Sequence, residues 1–190
     1  MNIETTPSLY FKEMIDDAIR NQRIEMNILV EFYLVNLLTE FMDAKKIKKV
    51  EDEPLVILMG KALNSSLTLQ RTAFREIGDA SLYLSGFFSD SLSRKVVDID
   101  YYTNIGAASY NYLANLTKGE LNSLYSELAE RFKVFVDLLT EVSERCSLTA
   151  RQDILRVYER WIRLKGKRNK KILNELGIEP LHNLSYSTIH

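Results

Sequence analysis

Apolar residues recur at helical spacing along most of the chain, and no stretch shows the strict alternation that is typical of a β-strand. Three prolines and seven glycines are few for 190 residues, which argues against a loop-rich chain. We therefore predict an all-α fold, an irregular bundle of about seven or eight helices. The helices are predicted to begin at Pro7 or Ser8 and to cover residues 27–42, 54–65, 68–88, 98–116, 120–146, 149–164 and 169–176.

The second predicted helix, residues 27–42, is apolar on most of its circumference. A helix of this kind is usually central, so we expect it to lie in the middle of the bundle. Its most hydrophobic run, from Ile28 to Leu38, is interrupted by Glu31 and Asn36 and is shorter than the roughly 20 apolar residues of a membrane span. We therefore expect no helix that crosses a membrane.

Small residues mark the stretch from Glu76 to Tyr112, which belongs to the fourth and fifth predicted helices. Glycine inside a helix costs about 1 kcal/mol relative to alanine, so its presence indicates that another group approaches closely. We expect the small patches of the two helices to face each other, with Asp98 as the N-cap of the fifth helix. The alternative is a small-molecule or acyl-chain pocket beside Gly78, Ser85 and Gly106.

Asp79 is the most informative carboxylate, because Arg75 and Tyr83 lie one turn away on either side of it. One interpretation is an ion pair with Arg75 on the helix surface. The other is a buried carboxylate, held by Arg75 and a tyrosine hydroxyl, that anchors the polar head of a ligand. Most polar groups in helical domains only satisfy one another, which favours the first. The candidate ligand-binding residues are Arg75, Asp79, Tyr83, Tyr101, Tyr102 and Tyr110.

The chain lacks the motifs of several common chemistries. It has no glycine-rich phosphate loop, no HExxH motif and no pair of cysteines. Cys146 is the single cysteine, and both histidines, His182 and His190, lie near the end of the sequence. We therefore predict no catalytic residue, no metal site and no cofactor, although the sequence alone leaves enzymatic function open.

Charge is unevenly distributed, although the net charge of the whole chain is -1. The segment from Arg145 to Lys171 holds ten basic and two acidic residues. One helical face carries its basic residues at steps of four, three and four: Arg156, Arg160, Arg163 and Lys167. This face could bind nucleic acid or another anion, or it could dock on the acidic remainder of the protein. The even split of charge favours docking.

The organisation that we predict is a single all-helical domain over residues 1–177, in which residues 145–177 form a basic helical arm. Residues 178–190 are expected to be a loosely held tail. The first residues do not combine a basic segment with an apolar one, as a secretory signal would. We therefore expect a cytoplasmic protein, from a bacterium.

Two neighbouring segments form a recognisable pattern. Residues 78–92 read GD-x-x-L-x-x-SGFF-x-x-SL, and residues 97–110 read VDIDYYTNIGAASY. This pattern resembles an uncharacterised bacterial family of all-helical proteins, and the resemblance spans most of the chain. It implies a compact helical domain and supplies no catalytic residues.

Three functional hypotheses follow from the sequence. The leading one is a non-enzymatic helical protein that acts through protein–protein contacts, as a homodimer, because apolar faces are abundant and catalytic spacing is absent. The second is binding of a small apolar ligand in the helix-lined pocket named above. The third, which is disfavoured, is nucleic-acid binding through the basic face of residues 151–171.

Overall fold

The structure, a computed structural model, describes residues 6–42, 53–87, 99–147 and 170–171. Within these ranges the regular structure is helical throughout and includes no strand, which confirms the predicted all-α class. The helices are α1 (Pro7–Gln22), α2 (Ile28–Glu40), α3 (Leu55–Leu63), α4 (Leu67–Phe87), α5 (Ile99–Leu116), α6 (Glu120–Glu130) and α7 (residues 132–147). No helix among the described residues is both long enough and apolar enough to cross a bilayer.

The chain forms two compact units, Met1–Glu144 and Arg145–His190. The boundary falls at the residue where the predicted basic arm begins. In the second unit the structure describes residues 145–147 and 170–171, all of them helical. The predicted N-cap Asp98, the predicted helix 149–164, the predicted helix 169–176 apart from residues 170–171, and the predicted tail lie outside the described residues.

The first two helices begin where the sequence predicts, and α2 ends at Glu40, two residues before the predicted end. Pro7 opens α1, and the hydroxyl of Thr6 accepts a hydrogen bond from the Leu9 amide at 3.4 Å. The helix ends at Arg23, which adopts the left-handed conformation with φ of 54°. Asn27 then caps α2, because its side-chain oxygen accepts from the Leu29 amide at 2.9 Å. Such caps satisfy amides that have no partner inside the helix.

The most extensive helix–helix contact joins α4 and α5. A β-carbon added at Gly106 would lie 2.7 Å from that of Ser81 and 2.3 Å from the ring of Phe132, which is tighter than any real contact. Glycine therefore allows α5 to approach both α4 and α7. The two small patches therefore meet at Ser81 and Gly106, whereas Gly78 and Gly86 face larger residues, so the predicted seam of small residues is only partly present.

The last turn of α4 packs instead against α7. A β-carbon at Gly86 would lie 2.6 Å from the β-carbon of Leu139 and 3.2 Å from the Val136 carbonyl oxygen. The Thr140 hydroxyl donates to the Gly86 carbonyl at 3.0 Å, and the Ser143 hydroxyl donates to that of Phe87 at 2.7 Å. Side chains of α7 thus satisfy carbonyls at the end of α4, where the helix itself supplies no donors.

The predicted single helix over residues 120–146 is wrong at Arg131, where α6 ends and α7 begins one residue later. The apolar stripe continues across this break, so periodicity could not reveal it. The Arg131 guanidinium donates to the Glu25 carbonyl at 2.6 Å and to the Glu127 carboxylate at 2.9 Å. These bonds fasten the break to the connection between α1 and α2.

The interior of the bundle is built mainly from α2, α4, α5 and α7. In α2, Val30, Leu34 and Leu38 are buried, whereas Ile28 and Phe32 are 55% and 53% exposed. Eleven of the 21 residues of α4 are buried. The predicted apolar helix therefore contributes one face to the core, and α4 has more buried residues than any other described helix.

We predict that Gly86→Ala lowers the free energy of unfolding by about 1–3 kcal/mol, because the added methyl group meets a β-carbon and a backbone oxygen that cannot move cheaply. Ala108→Ser, at an exposed position of α5, is the control and should change stability by less than about 0.5 kcal/mol. Urea unfolding followed by circular dichroism measures both values. Equal stability of Gly86→Ala and the wild type would contradict the packing described here.

Candidate functional site

Asp79 lies in the middle of α4 and is 8% exposed. Its oxygen Oδ1 accepts a hydrogen bond from the hydroxyl of Tyr110 in α5, at 2.8 Å, and another from the hydroxyl of Tyr33 in α2. Its oxygen Oδ2 lies 3.4 Å from Nε of Arg75. The carboxylate is therefore buried and is held by one side chain from each of the helices α2, α4 and α5.

Gly78 makes this arrangement possible. A β-carbon at Gly78 would lie 2.7 Å from the ring of Tyr110, so any larger residue would displace the ring whose hydroxyl reaches Asp79. The space beside Gly78 is thus filled by Tyr110, and the space beside Gly106 by Phe132. Gly78 and Gly106 are two of the three positions, with Ser85, beside which the sequence suggested a ligand pocket.

Three tyrosine rings surround the carboxylate. Tyr33 meets Tyr110 and Tyr125 edge-on, with ring centroids 6.2 and 6.1 Å apart, and Tyr110 stacks on Tyr125 at 6.1 Å. Edge-to-face and offset arrangements at this separation are the favourable ones for aromatic rings. We call the group formed by Tyr33, Arg75, Asp79, Tyr110 and Tyr125 the Asp79 cluster.

Arg75 forms the outer edge of the Asp79 cluster. Its side chain is 47% exposed, and its guanidinium lies 3.7 Å from the Glu40 carboxylate and 5.9 Å from the centre of the Tyr33 ring. It therefore connects the buried carboxylate of Asp79 with a carboxylate at the surface. A cation over an aromatic face adds a further attraction, about 0.5–1 kcal/mol at an exposed site.

Burial raises the pKa of Asp79 to about 6, although the hydrogen bonds from Tyr33 and Tyr110 and the charge of Arg75 act in the opposite direction. Burial, together with the charge of Asp79, also raises the pKa of Tyr33 and of Tyr110 well above the usual value. Both hydroxyls therefore remain donors, and the carboxyl group is the member of this trio that titrates near neutral pH.

The geometry assigns the Asp79 cluster a structural role. Both hydroxyl bonds converge on one oxygen of the carboxylate, and the other oxygen faces Arg75. A carboxylate satisfied in this way has little capacity left for a ligand or a substrate. A satisfied polar network instead fixes the packing of the helices that contribute to it.

The structure brings together Arg75, Asp79 and Tyr110 from the six candidate ligand-binding residues. The aromatic ring of Tyr83 stacks on Phe41 and Phe87, at centroid distances of 4.4 and 5.4 Å.

The remaining two candidates belong to another region of α5. The Tyr101 hydroxyl accepts from the amide of Val56 in α3, at 3.3 Å, and the ring of Tyr102 lies edge-on to that of Tyr101.

Tyr33 and Tyr125 are the members of the Asp79 cluster that the sequence did not reveal. Tyr33 stands in an apolar stretch, where a tyrosine needs a partner for its hydroxyl once it is buried, whereas the sequence neighbours of Tyr125 are mostly polar. The need for a hydrogen-bond partner could have been inferred from the sequence, but the sequence does not show that Asp79 is that partner.

A cavity of about 430 Å³ lies between α3 and α4. This volume is within the range of roughly 300–1,000 Å³ that is typical of small-molecule sites. Most of the lining is aliphatic, and we call the cavity the α3–α4 groove. Its lining residues are Leu55, Leu58, Lys61, Ala62, Ser65, Leu69, Thr72, Ala73, Glu76 and Ile77.

The opposite side of α3 is apolar and exposed. Val56, Ile57 and Leu63 are 51%, 48% and 52% exposed, and helical geometry places Gly60 between them. A β-carbon added at Gly60 would meet no atom of the described residues within 4 Å. We call this surface, formed by Val56, Ile57, Gly60 and Leu63, the outer α3 face.

Two further predictions concern other kinds of site. The basic residues Arg156, Arg160, Arg163 and Lys167 lie outside the described residues. Among the residues that the structure describes, no group of three or more histidine, cysteine, aspartate or glutamate side chains is arranged to hold a metal ion. Cys146 is partly exposed, and its thiol is not in a disulfide.

The raised pKa of Asp79 predicts that stability falls as pH rises. The folded chain keeps this proton up to about pH 6, whereas the unfolded chain releases it near the ordinary pKa of 3.8. Between these values the folded state binds more protons, so rising pH lowers the free energy of unfolding, by about 3 kcal/mol in total.

Asp79→Asn removes this titration and keeps an acceptor for both tyrosines. Relative to the variant, the wild type should therefore lose about 2.4 kcal/mol between pH 4 and pH 7 in urea unfolding, because part of the total change occurs below pH 4. Asp100→Asn, at an exposed position of α5, controls for the loss of a surface charge. Parallel pH profiles of the wild type and Asp79→Asn would contradict the burial of this carboxyl group.

Tyr110→Phe should lower the free energy of unfolding at pH 7 by about 1.5–3 kcal/mol, because an ionised carboxylate loses a buried donor. The cost should be smaller at pH 4, where the carboxyl is protonated. Tyr112→Phe is the matched control, since the Tyr112 hydroxyl donates to the neutral amide of Gln70 at 2.8 Å, and its cost should not depend on pH. Equal costs of Tyr110→Phe at both pH values would show that Asp79 is not the relevant partner.

Comparison of the chain with models of protein families, with curated proteins and with solved structures yields no match. The resemblance to a bacterial helical family stays a prediction.

Proposed function

We propose that the chain is a non-enzymatic helical protein that acts through protein–protein contacts, and that it forms a homodimer through the outer α3 face. The observation that carries this proposal is the composition of α3, LVILMGKAL, in which Lys61 is the single charged residue. Only Leu55 and Ala62 of its nine residues are buried. A helix that is apolar nearly all round is normally covered, so an exposed one is typical of an interaction surface.

Gly60 supports a close contact at the outer α3 face. Glycine in a helix interior costs about 1 kcal/mol relative to alanine. At Gly78, Gly86 and Gly106 a neighbouring side chain accounts for that cost, but at Gly60 no described residue does so. A second chain that packs closely against α3 would account for it.

The outer α3 face also suits contact with a second copy of itself. Val56, Ile57, Gly60 and Leu63 carry no charge, so a two-fold arrangement brings no like charges together at the centre. The nearby Lys61 ammonium is paired with Glu53, at 2.6 and 2.9 Å from its two oxygens. A neutral apolar centre with paired charges at its rim is the usual composition of a homodimer interface.

The α3–α4 groove supports a second candidate function, the binding of a small apolar ligand. It lies on the side of α3 that faces away from the outer α3 face. Its volume and its aliphatic lining fit a ligand of moderate size. The two candidates use different surfaces and are compatible.

We predict that the wild type is a dimer at micromolar concentration and that Leu63→Glu makes it monomeric, because the charge would have to be buried at the contact. Multi-angle light scattering after size-exclusion chromatography measures the molar mass. Leu121→Glu changes an equally exposed leucine on α6 and should leave the dimer intact. A monomeric wild type would count against the homodimer, and dissociation by both substitutions would count against the outer α3 face.

A further inference from the structure

Helix α3 is attached to the bundle by little apolar burial. Of its nine residues only Leu55 and Ala62 are buried. The Lys61 ammonium pairs with Glu53, which lies just before the start of α3, so this ion pair does not fasten α3 to another helix. Hydrogen bonds to side chains of α4 and α5 therefore matter more for the position of α3 than for that of a core helix.

Gln70 of α4 binds the carboxyl end of α3. Its amide nitrogen donates to the Leu63 carbonyl at 3.2 Å and to the Ser65 carbonyl at 3.0 Å. Its amide oxygen accepts from the Tyr112 hydroxyl of α5 at 2.8 Å. Gln70 is 9% exposed, and these three bonds use both of its donors and fix its orientation. Leu63 carries one of the last carbonyls of α3, for which the helix itself supplies no donor.

Tyr101 of α5 binds the amino end of α3. Pro54, at the N-cap position, makes no side-chain hydrogen bond to the first turn. The Val56 amide instead donates to the Tyr101 hydroxyl at 3.3 Å. Both ends of α3 are thus bound to tyrosines of α5, one directly and the other through Gln70. We call the bonds made by Tyr101, Gln70 and Tyr112 the α3 latch.

The length of α3 makes its attachment cooperative. Isolated helices shorter than roughly 12–15 residues are marginal in water, so a helix of nine residues that separates from the bundle also melts. Loss of the bonds at one end therefore weakens the helix at the other end. Elements with few buried apolar contacts open more easily than the core of the same protein. Together these properties favour one opening event that involves the whole of α3.

We infer that α3 opens from the bundle as a unit and that Gln70 is the positioning residue that holds it closed. The outer α3 face and one wall of the α3–α4 groove both belong to α3, so a single opening displaces both surfaces. The α3 latch therefore controls whether either proposed binding surface is formed. The inference depends on the contacts of α3 with α4 and α5, and it applies to a monomer and to a dimer alike.

Native-state hydrogen exchange of the full chain at pH 7 tests this inference, with each amide corrected for its intrinsic rate. In the wild type, the hydrogen-bonded amides of α3 should exchange about tenfold faster, or more, than those in the middle of α4 and α5. Gln70→Met keeps the approximate volume of the side chain and removes its hydrogen bonds. It should accelerate exchange in α3 by about a further tenfold, a factor that corresponds to the loss of one or two hydrogen bonds, and leave the middle of α5 unchanged.

Tyr101→Phe tests whether the two ends of α3 open together. This substitution removes the acceptor of the Val56 amide and keeps the aromatic ring. Opening as a unit requires that the amides of the last turn of α3, far from the substitution, also exchange about threefold faster. Acceleration confined to the first turn would overturn the opening as a unit, because it would show that the amino end frays by itself.

Two further variants complete the experiment. Tyr112→Phe removes the bond that orients Gln70 and is the milder test if Gln70→Met does not fold; it should accelerate exchange in α3 by about threefold. Asn115→Ala is the matched control, because Asn115 is exposed on α5 and its amide donates to the Asn111 carbonyl at 3.0 Å. It should leave exchange in α3 unchanged.

The other outcomes are equally decisive. Exchange in α3 of the wild type that is as slow as in α4 would overturn the opening. Equal acceleration of α3 and of the middle of α5 by Gln70→Met would show that Gln70 stabilises the whole bundle, and would overturn its role in the α3 latch. All samples are compared at one low protein concentration, so that a dimer contact contributes little, and the homodimer is tested separately by its molar mass.

Discussion

The packing of α2, α4 and α5 depends on one buried carboxylate. An ionised group inside a helical bundle is costly unless it is hydrogen-bonded, and Asp79 obtains its donors from Tyr33 of α2 and Tyr110 of α5. Each donor must lie within hydrogen-bonding distance of the same oxygen, so both helices are held at fixed positions relative to α4. The cluster is therefore a constraint on geometry more than a source of stability, because burial of the carboxylate opposes the bonds that it makes.

The glycines complete this constraint. Gly78 admits the ring of Tyr110, Gly106 admits the ring of Phe132, and Gly86 lets α4 reach α7. Each position relates α4 or α5 to a different neighbour, so the small residues do not form a single seam between two helices. They allow several helices to converge on the region around Asp79, where a larger residue at any of these positions would force at least one of them apart.

Local patterns predicted most of the helices and the pairing of Arg75 with Asp79. The start of α1 at Pro7 follows from chemistry that acts over a few residues, and so does the proximity of Arg75 to Asp79, one turn apart. Tyr33 is 46 residues from Asp79 and Tyr110 is 31 residues away, so tertiary packing alone selects them. The end of α6 at Arg131 has the same origin, because it depends on the distant Glu25 carbonyl.

Helix α4 belongs to the packed core of the protein, whereas α3 carries the surfaces at which we propose that partners bind. In α4, glycines and a carboxylate that look unfavourable in sequence all have neighbours that account for them. In α3, no described residue lies within 4 Å of the position of a β-carbon at Gly60, and three aliphatic side chains are about half exposed. An apolar helix gains stability mainly from what it buries, so the exposed side of α3 is the surface to which our proposal assigns contacts with a partner. A second chain on one side of α3 and a small apolar ligand on the other would supply such contacts.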